Sequence, residues 1–259
     1  MKFDIKALDV RLDEKSKKLY VNDAEVGSAV RKLEDMKDVI FNQNIINKRT
    51  KDDILYYMYR GLGMERNPTI FEAHNIRHDI TVMADYDLGG EFNKTFGHYH
   101  PICSGGLAYA EVYEVIFGEA LYLMQKRYDG GNCDVVIMHA KQGDKVIMPS
   151  NYGHISINIG GTLLVEANLV NSTFESDYKP IQQARGGAIY VTTKKEMVVN
   201  QHYKDVSLSY REAPKISFLD PNISLYDEYL AHPEHFKFLN RPELLFWKED
   251  SWYSSSEPF

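Results

Sequence analysis

The chain has 259 residues, 44% of them hydrophobic, with 37 acidic against 30 basic side chains and a formal charge of −7 at pH 7. Such a length suits one large globular domain, or one domain with a substantial extension, and the acidic balance argues against a general binder of nucleic acid or anionic membranes. No apolar run approaches the roughly 20 residues that span a bilayer, and the opening Met-Lys-Phe-Asp-Ile-Lys has no hydrophobic signal region, so a cytoplasmic protein is expected.

Residues 1–26 alternate apolar and polar around a charged turn at 13–18, the pattern of a hairpin or arm. Ser28 then precedes Ala29-Val-Arg-Lys-Leu-Glu-Asp-Met36, whose spacing predicts a short amphipathic helix capped by that serine. Ile54–Tyr59, Asp79–Ala84 and Glu91–Thr95 each read as strands. From 111 to 170 short strands follow one another, with turns at Gly118, Asp129–Gly131, Gln142–Asp144 and Gly160–Gly161, the rhythm of a barrel or sandwich. Residues 188–193 and 196–199 read as a further strand pair.

The last sixty residues differ in character. Tyr226–Ala231 and His235–Leu239 read as helical turns broken by Pro233 and Pro242, and Phe246, Trp247, Trp252, Tyr253 and Phe259 crowd the end. So many aromatics suggest packing surface, and a dimer cover is a reasonable use for them. His74, His78, His139, His202, His232 and His235 are expected at the surface rather than as ligands. Cys103 and Cys133 stand far apart and outside any Cys-X-X-Cys pattern, so both are expected as free thiols.

The stretch from Thr95 to Gly160 carries the chemistry. His98 and His100 lie two apart, so in an extended backbone they face the same way, with Tyr99 turned to the other side. Glu111 opens the run Glu111–Phe117 and brings a carboxylate within reach across a hairpin or barrel wall, and His154 completes the set. Three imidazoles and one carboxylate suit a divalent ion such as zinc, ferrous iron, manganese, cobalt or nickel, with positions left open for water or substrate.

Glu111 is followed by six residues and Gly118; Gly143-Asp144 by four residues and Pro149; His154 by three residues and Asn158. These spacings resemble the two signature blocks of the cupin barrel, which implies an all-β double-stranded helix or jelly-roll. Asn151 stands where the second block usually has glycine, and asparagine tolerates the left-handed backbone better than other non-glycine residues.

The flanking pieces narrow the resemblance. Val30–Met36, Leu55–Tyr59, Ile80-Thr-Val, Thr95-Phe-Gly-His-Tyr-His100 and Ala110-Glu-Val-Tyr113 look, in that order, like the cupin-type glucose-6-phosphate isomerases. That resemblance implies interconversion of glucose 6-phosphate and fructose 6-phosphate on one divalent ion per subunit, iron, manganese or zinc, held by His98, His100, Glu111 and His154. It carries phosphate binding onto Tyr56, Thr81, Thr95 and the backbone of Gly97, places Tyr113 with Glu111 at the reacting carbons, and makes Tyr178 a further substrate contact. Hydroxyls and an amide can donate to phosphate without an arginine fork, more weakly than charged donors. Glu111 would move a proton between the two carbons, or would act only as a ligand to a metal that assists a hydride shift; both stay open.

Departures from the family pattern are the extra residues 101–106 between His100 and Glu111, Ser176 in place of a histidine, and Val170 in place of a tyrosine. The resulting expectation is a cupin isomerase domain with its N-terminal arm over residues 1–190, an extension over 191–259 packing on the barrel or the dimer, and a homodimer. A sugar-phosphate binding module without turnover and a ferrous dioxygenase are the alternative uses of the same ligand set.

Overall fold

In the computed structural model, which describes residues 1–48 and 50–246, two sheets face one another around a buried interior. The first element is a small antiparallel arm of β1 (Val10–Asp13), β2 (Lys18–Val21) and β3 (Ala24–Glu25). Next come β4 (Ala29–Lys32), β5 (Ile54–Tyr59), helix α1 (Pro68–His74) and β6 (Ile76–Met83). After a small excursion of β7 (Ile102–Ser104) and β8 (Leu107–Ala108), the barrel continues with β9 (Glu111–Phe117), β10 (Glu119–Arg127) and β11 (Cys133–Lys141). It is completed by β12 (Lys145–Met148), β13 (Gly153–Asn158) and β14 (Leu164–Asn171). Helix α2 (Lys179–Gln183), the hairpin β15 (Ile189–Val191) and β16 (Met197–Val199), β17 (Val206–Glu212), α3 (Leu225–Ala231) and α4 (Glu243–Phe246) follow.

One sheet runs β12-β9-β14-β6-β5-β4 and the other β13-β10-β11-β17. Their inward faces share a core of Tyr56, Met83, Tyr113, Val115, Tyr122, Met124, Val136, Met138 and Leu164. The outer face of the larger sheet is covered by the arm and by the C-terminal helices, where Leu8, Leu12, Tyr226, Tyr229 and Phe236 pack against Ile80, Val112 and Leu169. The outer face of the smaller sheet is covered by Ala188, Ile189, Val191 and Tyr203. Both sheets are therefore hydrophobic on two sides, which explains why β14 is buried at every position rather than alternating. This is the cupin architecture with an N-terminal arm and a partly helical C-terminal extension.

Several expectations change. Residues 29–36 are no helix: Ala29–Lys32 pairs antiparallel with β5, Arg31 opposite Tyr56, and only Glu34–Met36 makes a single 3-10 turn that buries Met36. An exposed edge of β5 needed a partner, and ladder hydrogen bonds outweigh helix propensities of a few tenths of a kcal/mol per residue. Glu91–Thr95 forms isolated bridges instead of a strand, Glu91 to Thr192 and Lys94 to Ile157. Between them the Asn93 side chain donates to the carbonyls of Leu55 and Ala84, tying the segment down by side-chain hydrogen bonds.

His78 and His139 are buried, not at the surface. His78 donates from Nδ1 to the Leu62 carbonyl at 3.0 Å, and His139 stands between Glu119 and Glu212, fastening β17 to the barrel. His74, His202 and His232 are exposed and His235 is half-buried against Glu228. Both cysteines are free thiols. Trp247, Trp252, Tyr253 and Phe259 lie outside the described residues.

A candidate metal centre beneath a polar pocket

The segment from Lys94 to His100 runs antiparallel beside β13 as a broken edge strand. Thr95 N–H donates to the Ser156 carbonyl at 2.8 Å, and His98 and His154 exchange both backbone hydrogen bonds at 3.3 and 3.0 Å. Gly97 interrupts the ladder in the left-handed region, φ +83°, where a Cβ would lie 2.4 Å from Ile155 Cγ1. Only glycine fits there, and the resulting twist carries His98 and His100 onto one side. Tyr99 is turned away, as the alternation requires: its ring lies on Gly153 and its hydroxyl accepts from Gln125 at 2.9 Å. Asn151 has φ +68° in the tight turn before His154, its side-chain oxygen accepting from Ala108 N–H and its amide donating to the Gly106 carbonyl. The inserted residues 101–106 are thus anchored to that turn, at Gly106 and the nearby Ala108, rather than displacing the histidines.

His98, His100, Glu111 and His154 each bring one ligand atom to a common point, all within 4.8 Å of one another. The Nε2 atoms of His98 and His100 are 3.1 Å apart, and Glu111 Oε2 lies 3.0 Å from His154 Nε2 and 3.3 Å from His100 Nε2. Despite those short approaches Glu111 Oε2 completes no hydrogen bond of acceptable geometry. Lone pairs converging on a shared point, rather than donors aimed at acceptors, fit a cation bound by three imidazoles and a carboxylate. His100 Nδ1 sits 3.0 Å from the Tyr109 carbonyl, which fixes its proton there and leaves Nε2 as the ligand atom. Asn168 donates to Glu111 Oε1 at 2.6 Å and orients the carboxylate.

Electrostatics follow burial and charge. Burial alone would raise Glu111, but the adjoining His100 and His154 imidazoles hold its carboxyl well below the usual range. Burial pushes His98 and His154 down, toward the neutral form that a metal requires. Tyr113, its hydroxyl 3.5 Å from His154 Nε2, is pushed well up by burial and by the Glu111 charge, so it stays protonated and offers a hydrogen bond rather than a base.

Above this cluster lies a cavity of about 80 Å³, lined among others by Tyr56, Thr81, Thr95, Gly97, Tyr113 and Tyr178. Every sequence-predicted site residue except His154 lines it, and His154 closes the ligand set beneath. Val170 and Ser176, two of the three departures from the family pattern, line the same cavity. The Tyr56 hydroxyl accepts from Arg31 Nε at 3.2 Å and from Phe96 N–H at 3.1 Å. With both lone pairs used, its own proton is the group left for a ligand. Thr95 Oγ1 likewise accepts from Ser156 N–H.

Sequence reading missed Arg31, Arg60, Arg77, Asp79, Glu166, Asn168 and Phe174. Arg31 stands over the Phe96 and Tyr178 rings at 5.5 and 5.8 Å, so positive charge backs the hydroxyls after all. Arg60 and Arg77 share Asp79 at the cavity wall, the Arg77 contact being 2.9 Å. Phe174 stacks on Tyr109 and covers His100 at a centroid distance of 4.6 Å. The alternation of Glu166, Asn168 and Val170 along β14 was the available signal, and it was masked because both faces of that strand are buried.

Two inward-facing sheets, the paired signature blocks and a cluster of three histidines and one glutamate define a cupin. Within that fold the family model for glucose-6-phosphate isomerase (GPI) matches residues 30–207. The chain belongs to the cupin-type glucose-6-phosphate isomerase family, and the match extends past the barrel as far as β17. No curated protein matches the chain. Among solved structures, an oxalate oxidase in complex with the substrate analogue glycolate is 18% identical, with a TM-score of 0.33, over 41% of this chain and 47% of that one. A recombinant oxalate oxidase with glycolate is 17% identical, TM-score 0.37, over 49% and 56%. Oxalate decarboxylase of Bacillus subtilis is 14% identical, TM-score 0.35, over 52% and 31%. The chain thus spans about a third to just over half the length of these structures. Among the described residues no helix is long and apolar enough to cross a membrane.

Proposed function

We propose that this protein is a metal-dependent aldose-ketose isomerase that interconverts glucose 6-phosphate and fructose 6-phosphate. The observation that carries the reading is the convergence of His98, His100, Glu111 and His154 directly beneath a cavity walled by hydroxyls and arginines. His98, His100, Glu111 and His154 would hold one divalent ion, iron, manganese or zinc, which would supply Lewis-acid polarisation of the sugar carbonyl.

The chain's own groups perform the rest. Tyr56 donates its free hydroxyl proton to the phosphate, with Thr81, Thr95 and the Gly97 amide beside it and Arg31 behind, so the dianion is met by oriented dipoles and one guanidinium. Tyr113, held protonated, donates to the sugar oxygens near the reacting carbons, and Tyr178 closes the far side. Phe174 shields His100 and keeps bulk water from the reacting carbons. In this reading residues 1–190 form the isomerase domain and 191–259 an extension that contributes β17 and the helical cover; a homodimer, in the cytoplasm, is the working assembly.

The test is fructose 6-phosphate to glucose 6-phosphate turnover on protein stripped with a chelator and then supplied with iron, manganese, zinc, cobalt or nickel in turn. Activity that disappears on stripping and returns with metal is expected. Bound metal with no turnover would transfer the site to a sugar-phosphate binding module, and oxygen consumption would transfer it to an oxygenase.

A further inference from the structure

The pocket contains a further carboxylate besides Glu111 and the arginine-paired Asp79. Glu166 lies on β14 two residues before Asn168, so both side chains face the cavity about 6–7 Å apart along the strand. Because Asn168 grips Glu111 at 2.6 Å, Glu166 stands one strand step from the ligand cluster. It is 1% exposed. Tyr122, from the opposite sheet, brings its buried hydroxyl beside it, yet neither that hydroxyl nor Glu166 Oε2 completes a hydrogen bond of good geometry.

Other buried glutamates each meet a basic side chain. Glu91 has Lys94, Glu114 has Lys145, Glu228 has His235, and Glu111 has His100 and His154. Glu166 has no cationic partner among the described residues, which is costly for a group with a merely structural role. Burial raises its carboxyl to about 7. A group that titrates near neutrality can both take and return a proton at working pH. Glu111, placed in the ligand cluster and gripped by Asn168, is less free to move a proton.

We propose that Glu166 is the catalytic acid-base residue that carries the proton between the two sugar carbons; this rests on the isomerase reading above. As the carboxylate, Glu166 takes the proton from C2 of the open-chain aldose. The C2–H electron pair becomes the C1–C2 double bond, and the carbonyl pair moves onto O1. The resulting acid returns that proton to C1 while the O2 hydroxyl proton passes to O1. The ketose forms with atoms and charge conserved and with no co-reactant.

The experiment compares wild type, Glu166→Gln and Glu166→Asp as metal-loaded proteins. For Glu166→Gln we expect kcat at least about 100-fold lower. Metal content, and calorimetric affinity for a phosphorylated polyol that cannot isomerise, should stay within twofold of wild type. Wild type should show an acidic limb near pH 7 in kcat/KM that Glu166→Asp keeps, displaced, and Glu166→Gln loses. Wild type that turns over beside a Glu166→Gln protein of undiminished kcat would overturn the role of Glu166 and leave the isomerase intact. A wild type that holds metal and never turns over would overturn both.

Discussion

Replacing Asn168 by leucine tests how the metal cluster is held. The amide donates to Glu111 Oε1 at 2.6 Å, and both residues are buried, 6% and 3% exposed. Leucine keeps the volume, excludes water and removes the donor. A hydrogen bond to a buried charged group contributes about 1.5–3 kcal/mol, and about 1.4 kcal/mol corresponds to tenfold in affinity. Losing the donor makes the carboxylate slightly more basic, which favours a cation, but it also frees the side chain to turn away from His100 and His154. Orientation is the larger effect at metal sites, where removing such a partner typically costs about 10–100-fold. Chelator competition with manganese or zinc should therefore give a dissociation constant about 10–100 times that of wild type. The backbone fold should be intact by circular dichroism. A constant within twofold of wild type would refute the view that Asn168 positions Glu111.

Gly97→Ala should be more damaging than its size suggests. The new methyl would lie 2.4 Å from Ile155 Cγ1 at φ +83°, a combination of overpacking and backbone strain that should cost about 2–4 kcal/mol, read as loss of thermal stability together with metal occupancy; an unchanged melting temperature would sink it. Tyr56→Phe removes the hydroxyl that accepts from Arg31 and Phe96. It should raise KM for the phosphorylated sugar by about 5–30-fold, from about 1–2 kcal/mol, with kcat nearly kept; an unchanged KM takes Tyr56 out of the phosphate site.

Glu166 also makes a prediction about stability, independent of turnover. Its folded carboxyl sits at about 7 against an ordinary 4.5, so the folded state binds the proton more tightly. That contribution is fully present below about 4.5 and is lost as pH rises to 7, up to about 3 kcal/mol. His78, buried and held down to about 4, has the opposite sign: its contribution is full above 6.5 and lost as pH falls toward 4. The two nearly cancel in wild type. The difference in unfolding free energy between Glu166→Gln and wild type, on metal-free protein, should therefore grow in favour of the variant from pH 5 to pH 8. A difference independent of pH would show that Glu166 does not titrate in that range.

The ligand cluster was legible from spacing because its geometry is local. His98 and His100 sit two apart on extended backbone, Gly97 marks the turn, and Glu111 and His154 each stand at the start of a recognisable turn-bounded strand. Ile54–Tyr59 and Glu111–Phe117 appear with the limits their composition suggests, since β-branched and aromatic runs ended by glycine leave little choice. Residues 29–36 read as a helix by local propensity and became a strand because β5 offered an edge to pair with. His78 and His139 read as surface because a lone histidine is more often there, yet a C-terminal cover that sequence alone does not position buries both. Glu166, Asn168 and Arg31 emerged only when β14 and β4 were folded against strands distant in sequence. Spacing along one strand specifies which side chains share a face, whereas which distant strand meets that face, and so which carboxylate is left buried without a cation, depends on contacts between segments that only the tertiary fold brings together.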